Sequence, residues 1–435
     1  VSTPQAASPA PPTPRPRVVI AGVGLTGPLA PAATATFRRL LAGRRITERA
    51  AGIAAGTDPV LLAQAVGRTP WVPRGADADD PAVLLAERAA REAAGEAGVD
   101  PAGLPCWVAA SKGAVEHGGW RMGDGGGARR PGIALGPHGY LAHRVSARTG
   151  MAVRRVTVAA CASGLVALDQ ARRALLDRAD VAPLPPAGAG GRSAADSPHT
   201  AGDAPSPSPS RGEGDPTPSA MILATEAALL PVFVHSYRRL GVLAPLTPGG
   251  YAESPLAAER GGFVLSEAAA AVVLRRLEPG EPVPPRAVEL VDTATAAEAY
   301  DMVRPSPAMA AVRHVAAHLA GHGPVDVLHP HATGTDRHDP AELKAIGGVM
   351  SAHDVYACKG ALGHALGAAG LVSLVVACLC LRFGRRPPMP WLDPAMDAPL
   401  PIDAAGRPCR RDGAHAVFAA GFAGHVAGAL VRGAL

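Results

Sequence analysis

Cys161 stands where the apolar run VTVAA gives way to CASGLVALDQARRAL. Leu165, Leu168, Ala171 and Leu175 then recur at helical spacing. This reading puts a thiol in the first turn of a helix, where the positive end of the dipole favours thiolate. Its neighbours Ala159, Ala160, Ala162, Ser163 and Gly164 are small, leaving room for an acyl chain and for backbone N–H groups around the sulfur. His331 lies in HPHATGTDRHDPAELKAI, after the apolar run VDVL and before a turn of small residues. Lys359 and His364 lie in CKGALGHALGAAGLVSLVVACL, flanking a glycine-containing turn ahead of an apolar helix. Taken singly, a buried cysteine or histidine is more often structural. Polar groups at the edges of strongly apolar elements must be either satisfied or used, and three such stretches in one chain point to use.

The elements that would position these residues alternate. Strands are expected at Arg17–Ala21, Arg154–Ala160, Met221–Thr225, about Phe263–Leu265, Ala270–Leu274 and Val325–Leu328. Helices are expected at Pro81–Gly98, Cys161–Arg178, Pro340–Gly347 and Leu366–Leu381. Strands alternating with helices define an α/β class with covered sheets. Three segments punctuate the chain. Val1–Pro16 is a Pro-rich tail, expected to be disordered. Pro183–Ala220 is a low-complexity insertion with too little apolar content to offset its ordering entropy. Glu278–Arg286 reads as a linker between an N-terminal half, 17–278, and a C-terminal half, 287–435.

Composition removes several classes. There are 42 Lys and Arg against 37 Asp and Glu, a net charge of +5, with few aromatics for base stacking. The chain does not read as a nucleic-acid binder. Six cysteines (Cys106, Cys161, Cys358, Cys378, Cys380, Cys409) form no pair with zinc spacing, so no metal or other cofactor is expected. Cys378 and Cys380 sit in an apolar run as core residues, and reduced thiols fit a cytoplasmic protein. Val1–Arg17 lacks the apolar region of a signal peptide. Ala361–Leu381 has membrane-spanning length, but His364, Gly363, Gly367 and Gly370 make it a buried helix instead. Gly22, Gly24 and Gly27 spell GxGxxG after a strand, with Glu48 downstream. Pro28 and Pro31 interrupt the place where a phosphate-binding helix would begin, and no apolar strand precedes Glu48. A tight glycine turn is the better reading.

The chain resembles the β-ketoacyl-acyl carrier protein synthases, the elongating condensing enzymes of fatty acid and polyketide synthesis. AACASGLVAL is similar to their nucleophile motif, and HATGT followed by DPAEL to their first histidine motif. CKGALGHALGAAG is similar to their lysine and second histidine motif. RVVIAGVGLTGPLA, GFVLSEAAAAVVL and the terminal GFAGHVAGALV match three more. The resemblance implies a thiolase-like fold, with duplicated halves in five αβαβα layers, usually as a homodimer. It implies decarboxylative Claisen condensation of an acyl thioester on Cys161 with a malonyl thioester on acyl carrier protein. Cys161 would be the acceptor. Backbone N–H groups of Cys161 and Phe422 would form an oxyanion hole, with Phe422 also the gate. His331 and His364 would stabilise the enolate as neutral Nε2–H donors, Lys359 would orient the site electrostatically, and Glu267 would do so through hydrogen bonds or an ion. The acidic carrier protein would dock on a basic patch, for which Arg129, Arg130, Arg238 and Arg239 are the candidates.

The chain also departs from the family pattern. Ala332 replaces a usual Gly, Ser266 and Ala268 flank Glu267 where Gly is usual, and Ala420, Ala423 and His425 replace the usual Phe, Gly and Thr. These positions leave chain-length preference open. Two rival readings remain. One is a non-catalytic or chain-length-determining partner subunit of a heterodimeric ketosynthase; such subunits usually lack the cysteine. The other is a thiolase, which would use a second cysteine as base. Neither Cys358 nor Cys409 has a matching context.

Overall fold

Apolar, β-branched and alanine-rich runs build ten strands of one continuous sheet system. They are β1 (Arg17–Thr26), β2 (Pro105–Ala109), β3 (Ala152–Thr157), β4 (Ser219–Glu226), β5 (Ala268–Leu277), β6 (Val288–Ala297), β7 (Val325–His329), β8 (Ala352–Val355), β9 (Ala414–Ala420) and β10 (His425–Gly433). The computed structural model describes residues 15–50, 53, 56–75, 78–116, 132–177, 218–247, 250–251 and 254–434. Residues 1–14 of the tail, 178–217 of the insertion, and Arg129 and Arg130 therefore lie outside the described residues.

The pairing pattern occurs twice. From β1 the order runs β5 (antiparallel), β4 (antiparallel), β2 (parallel) and β3 (parallel). From β6 it runs β10 (antiparallel), β9 (antiparallel), β7 (parallel) and β8 (parallel). A short antiparallel contact, Val19 with Glu289 and Ile20 with Val288, joins the two sets of five. Helices fill the layers around them. Helices α1 (Pro81–Ala97) and α2 (Gly132–Thr149, broken at Gly136) cover the outer face of the first set. Helices α5 (Ala310–Ala320) and α6 (His338–Gly347) lie outside the second. Between the sets lie α3 (Ser163–Asp177) and α7 (Ala369–Phe383). They cross closely: a Cβ at Gly164 would lie 3.0 Å from the Leu371 Cβ, and one at Gly370 would lie 2.9 Å from the Leu165 Cγ. Arg172 and Asp169 of α3 bond to Val291 O and the Thr293 hydroxyl, tying the middle layer to β6. This is the five-layered, duplicated α/β arrangement of the thiolase-like fold. A further helix, α4 (Pro231–Arg239), lies beside the site described below.

Helix α7 belongs to an apolar stretch, Leu366–Phe383, that is long enough to cross a membrane but is 89% buried inside the fold. Its apolar surface is taken up by the two sheets it separates. The glycines of the GxGxxG pattern serve packing. A Cβ at Gly22 would meet the Ala93 carbonyl at 2.1 Å, and one at Gly24 the Ala89 carbonyl at 2.0 Å. Only glycine lets the alanine face of α1 settle this closely on β1.

Several expected boundaries are corrected. β4 begins at Ser219, so Ser219 and Ala220 belong to the sheet rather than to the insertion. Phe263–Leu265 forms no strand; single backbone bridges replace the ladder, including Leu265 with His364. The helix after Cys161 begins two residues later than expected, at Ser163. The long apolar helix is preceded by a short 3₁₀ turn, Leu366–Ala368.

Candidate active site

Ala160 takes a left-handed backbone, φ 47°, between the end of β3 and the start of α3. The Ser163 hydroxyl accepts from Ala159 N–H at 2.8 Å and donates to the Ala160 carbonyl at 2.6 Å, tying the turn shut. Cys161 therefore sits just ahead of the helix rather than within its first turn. Burial pushes its thiol up to about 12, while the charges of Lys359 and Lys112 pull it back. Cys161 is buried, 7% exposed, and this desolvation works against the thiolate that a helix end would favour.

His331 follows β7 by two residues, and its backbone is clamped from three directions. Glu342 of α6 accepts the N–H of His331 at 2.6 Å and that of Ala332 at 2.8 Å. The Lys359 ammonium donates to the His331 carbonyl. Ala332 is left-handed, φ 33°, at the position where glycine had been the expected residue. One turn earlier in α6, Asp339 accepts from Leu256, Thr333 and Gly334 N–H, fixing the rest of the HATGT turn. Glu342 and Asp339 are fully buried, and burial raises both carboxyls, Glu342 to about 7.

His364 is held by the 263–267 segment. Its N–H donates to Val264 O at 2.7 Å, and its carbonyl accepts from Ser266 N–H at 3.1 Å. Phe263 packs edge-on against its ring, with centroids 4.8 Å apart. Glu267 anchors that segment: its carboxylate pairs with Arg74 and accepts from Thr69 N–H at 3.2 Å, and burial raises it to about 7. Glu267 is not among the residues lining the cavity, and its connection to His364 runs through the backbone of 264–267. Leu366 N–H donates to His364 Nδ1 at 3.1 Å, which leaves the ring proton of the neutral imidazole on Nε2. Burial and the nearby Lys359 charge hold both His331 and His364 well below the ordinary imidazole range, so both rings are neutral.

The donor atoms of Cys161, His331 and His364 lie within 4.8 Å of one another. By composition this trio could ligate a soft divalent ion, a proximity invisible in residues so far apart in sequence. The tautomer of His364 opposes it: binding a metal through Nε2 would move the proton to Nδ1, facing the Leu366 N–H donor. The trio opens onto a cavity of about 850 Å³. Tyr237, Phe263 and Phe422 line its apolar side, and Phe422 stacks on Tyr237 at 6.2 Å. Phe422 N follows Gly421, where an added Cβ would lie 2.9 Å from Ala159 O and 3.0 Å from Cys161 N. This brings the Phe422 segment against the Cys161 turn. Arg239 lines the cavity, whereas Arg238 does not.

The sequence reading missed Glu342, Asp339, Glu226 and Lys112. Two of them stood in the quoted DPAEL, where acids three residues apart behind a histidine were the available signal. Glu226, at the end of β4, accepts from Ser111 N–H and Oγ, Lys112 N–H and Gly367 N–H, joining the loop after β2 to the His364 loop.

The two halves of the beta-ketoacyl synthase family description both match. The N-terminal domain matches residues 67–182 and the C-terminal domain residues 288–392. Together they span half of the chain, which belongs to the beta-ketoacyl synthase family. Among characterised relatives, 3-oxoacyl-[acyl-carrier-protein] synthase 2 of Mycobacterium leprae is 34% identical over 183 residues, covering 39% of this chain and 43% of that protein. The synthase of the same name from Coxiella burnetii is 34% identical over 139 residues, covering 30% and 34%. The matched segment thus spans less than half the length of either relative. Solved structures match nearly throughout. A type II polyketide ketosynthase in complex with its acyl-carrier protein superposes with a TM-score of 0.67 at 19% identity, covering 97% of this chain and 100% of that one. The module 6 ketosynthase of the bacillaene synthase of Bacillus subtilis gives 0.68 at 16%, covering 96% and 72%.

Proposed function

We propose that the protein is a β-ketoacyl-acyl carrier protein synthase acting in fatty acid or polyketide-type synthesis. The observation that carries this reading is the convergence of one thiol and two neutral imidazoles within 4.8 Å, at the floor of an 850 Å³ cavity. The Cys161 sulfur attacks an acyl thioester, and its proton leaves with the departing carrier thiol. N–H groups of Cys161 and Phe422 hold the oxyanion, a role supported by the close approach of Gly421 to Cys161. A malonyl thioester then binds with its carbonyl toward His331 and His364. Breaking its carboxyl–carbon bond releases carbon dioxide and leaves an enolate, whose oxygen the Nε2–H donors stabilise. Neutral donors suit this step, since the charge they meet exists only after decarboxylation begins. The enolate carbon attacks the acyl group on Cys161, and the sulfur leaves as the new carbon–carbon bond forms. Lys359 and Glu342 position His331, and Glu267 positions His364.

The partner is an acyl carrier protein, whose acidic surface would meet Arg238 and Arg239 near the mouth, with Arg129 and Arg130 further candidates. Reversing the charges of these arginines should weaken carrier binding several-fold. Unchanged binding removes the docking assignment. Dimerisation through the edge strand β3, followed by the 55% exposed Val158, and a cytoplasmic setting complete the reading. Intact-protein mass spectrometry after incubation with acyl carrier protein thioesters tests it. Wild type should gain an acyl adduct that Cys161→Ala lacks, and added malonyl carrier protein should then discharge it as product. No adduct with short, medium or aromatic donors would favour a partner-subunit role instead.

A further inference from the structure

Lys112 is a cation close to the site, and its charge acts on the Cys161 thiol. It lies in the loop after β2, half-buried, and its backbone N–H is taken by Glu226. Its ammonium lies 5.7 Å from the centroid of Phe233 and 5.9 Å from that of Tyr237, both on α4. Among the described residues it makes no ion pair and no side-chain hydrogen bond. Glu226 feels the Lys112 charge, but no direct ion pair joins them, and its carboxylate accepts from Ser111, Lys112 N–H and Gly367 instead. The rings that carry Lys112 belong to the same apolar cluster as Cys161, which includes Phe233, Tyr237, Phe263, Leu366 and Phe422. Tyr237 itself lines the Cys161 cavity.

Two aromatic faces partly compensate an ammonium for lost water, but they leave its three N–H donors unfilled. An acceptor oxygen arriving on a bound acyl group would fill one of them, and a plain alkyl chain would leave the ammonium less solvated than before. We infer that Lys112 is a specificity-determining residue that favours acyl groups carrying a keto or carboxylate oxygen over unfunctionalised alkyl chains. This rests on the acyl-acceptor reading of Cys161. The other charged groups acting on the Cys161 thiol are Lys359 and Glu226, with His331, His364 and Tyr237 beside it; Arg239, Arg304, Arg337 and His338 line the cavity as well. Lys359 is committed to the His331 carbonyl, the imidazoles of His331 and His364 are neutral, and Glu226 and Tyr237 carry no positive charge. Of the two lysines whose charge acts on the thiol, Lys112 is the one whose ammonium has no hydrogen-bond acceptor among the described residues.

The test compares alkylation of Cys161 by iodoacetate and by iodoacetamide, which are nearly isosteric and differ in charge. The ratio of their rates reads the field that an incoming anion meets, while the iodoacetamide rate alone reports the integrity of the thiol and its pocket. Lys112→Met should lower the ratio roughly tenfold, as expected for removing a unit charge that acts on the sulfur from a partly buried position. Lys112→Arg should keep it. A ratio unchanged in Lys112→Met overturns the inference. A second comparison loads Cys161 from N-acetylcysteamine thioesters of 5-oxohexanoate and 5-methylhexanoate. Wild type should take the oxo chain faster, and Lys112→Met should reverse the preference. Equal rates in wild type would also overturn it. If neither thioester acylates a Cys161 that iodoacetamide still labels, the condensing-enzyme reading fails, and the alkylation ratio still decides the role of Lys112.

Discussion

Replacing Glu342 by glutamine should change stability in a way that depends on pH. The carboxylate accepts two backbone N–H groups, at 2.6 and 2.8 Å, from a site with no solvent contact. Glutamine keeps one acceptor oxygen and turns an NH₂ group toward the second N–H, leaving a buried donor unpaired. That loss costs about 2 kcal/mol. Burial acts in the opposite direction, raising the acid from 4.5 to about 7. A carboxyl with a raised folded pKa contributes stability that is fully present below 4.5 and is lost as pH rises through 7. A shift of this size corresponds to about 3 kcal/mol. Glutamine has no such dependence. Glu342→Gln should therefore fall furthest below wild type at pH 5, and the gap should narrow by about 3 kcal/mol at pH 8.5, where wild type carries the buried charge. Thermal unfolding of both proteins at the two pH values measures the gap, and the difference between them cancels every other titrating group. A gap that widens with pH would refute the reasoning, because it would mean that the two N–H donors and Lys359 outweigh desolvation.

His364→Ala should leave acyl transfer to Cys161 largely intact while slowing malonyl decarboxylation by about 10²–10³-fold, the usual loss for one oxyanion donor; equal losses in both steps would contradict the division of roles. Ala332→Gly should stabilise the protein by about 1 kcal/mol, since Ala332 holds φ 33° without glycine's freedom, and thermal unfolding would show a lower or unchanged midpoint if the strain is already relieved. Gly24→Ala should prevent α1 from seating on β1, because its Cβ would lie 2.0 Å from the Ala89 carbonyl, and soluble, fully stable protein would contradict this. Alkylation of Cys161 by iodoacetamide should keep rising with pH through 9, as expected for a thiol pushed up to about 12; a plateau near neutrality would show a resting thiolate.

The residues that react were legible because their neighbourhoods are unusual: a cysteine, two histidines and a lysine interrupt runs that are otherwise small or apolar. Their supports were not. Glu342, Asp339 and Glu226 are three acids that composition alone would place on the surface, and only the tertiary fold reveals that each accepts backbone N–H groups of a loop. The offset at Cys161 had a local cause: Ala160 leaves the strand for a left-handed turn, which no hydrophobic period announces. The FVL run read as a strand because its composition fits one. In the fold its backbone groups serve the His364 segment instead, in a single bridge rather than a ladder. The alternation of elements predicted the class of fold, and the doubling implied by the family resemblance appears in the pairing register.

The middle layer has a consequence for how the molecule is made. Helix α3 is synthesised with the first set of strands but takes part of its cover from β6 and β10, and α7 needs both sheets. A nascent chain that has reached Leu277 therefore carries one apolar flank with nothing to lay against it, and that exposure lasts until the last strands leave the ribosome. Translation through the second half is then a window in which a holding chaperone, or a slow codon run, decides between product and aggregate.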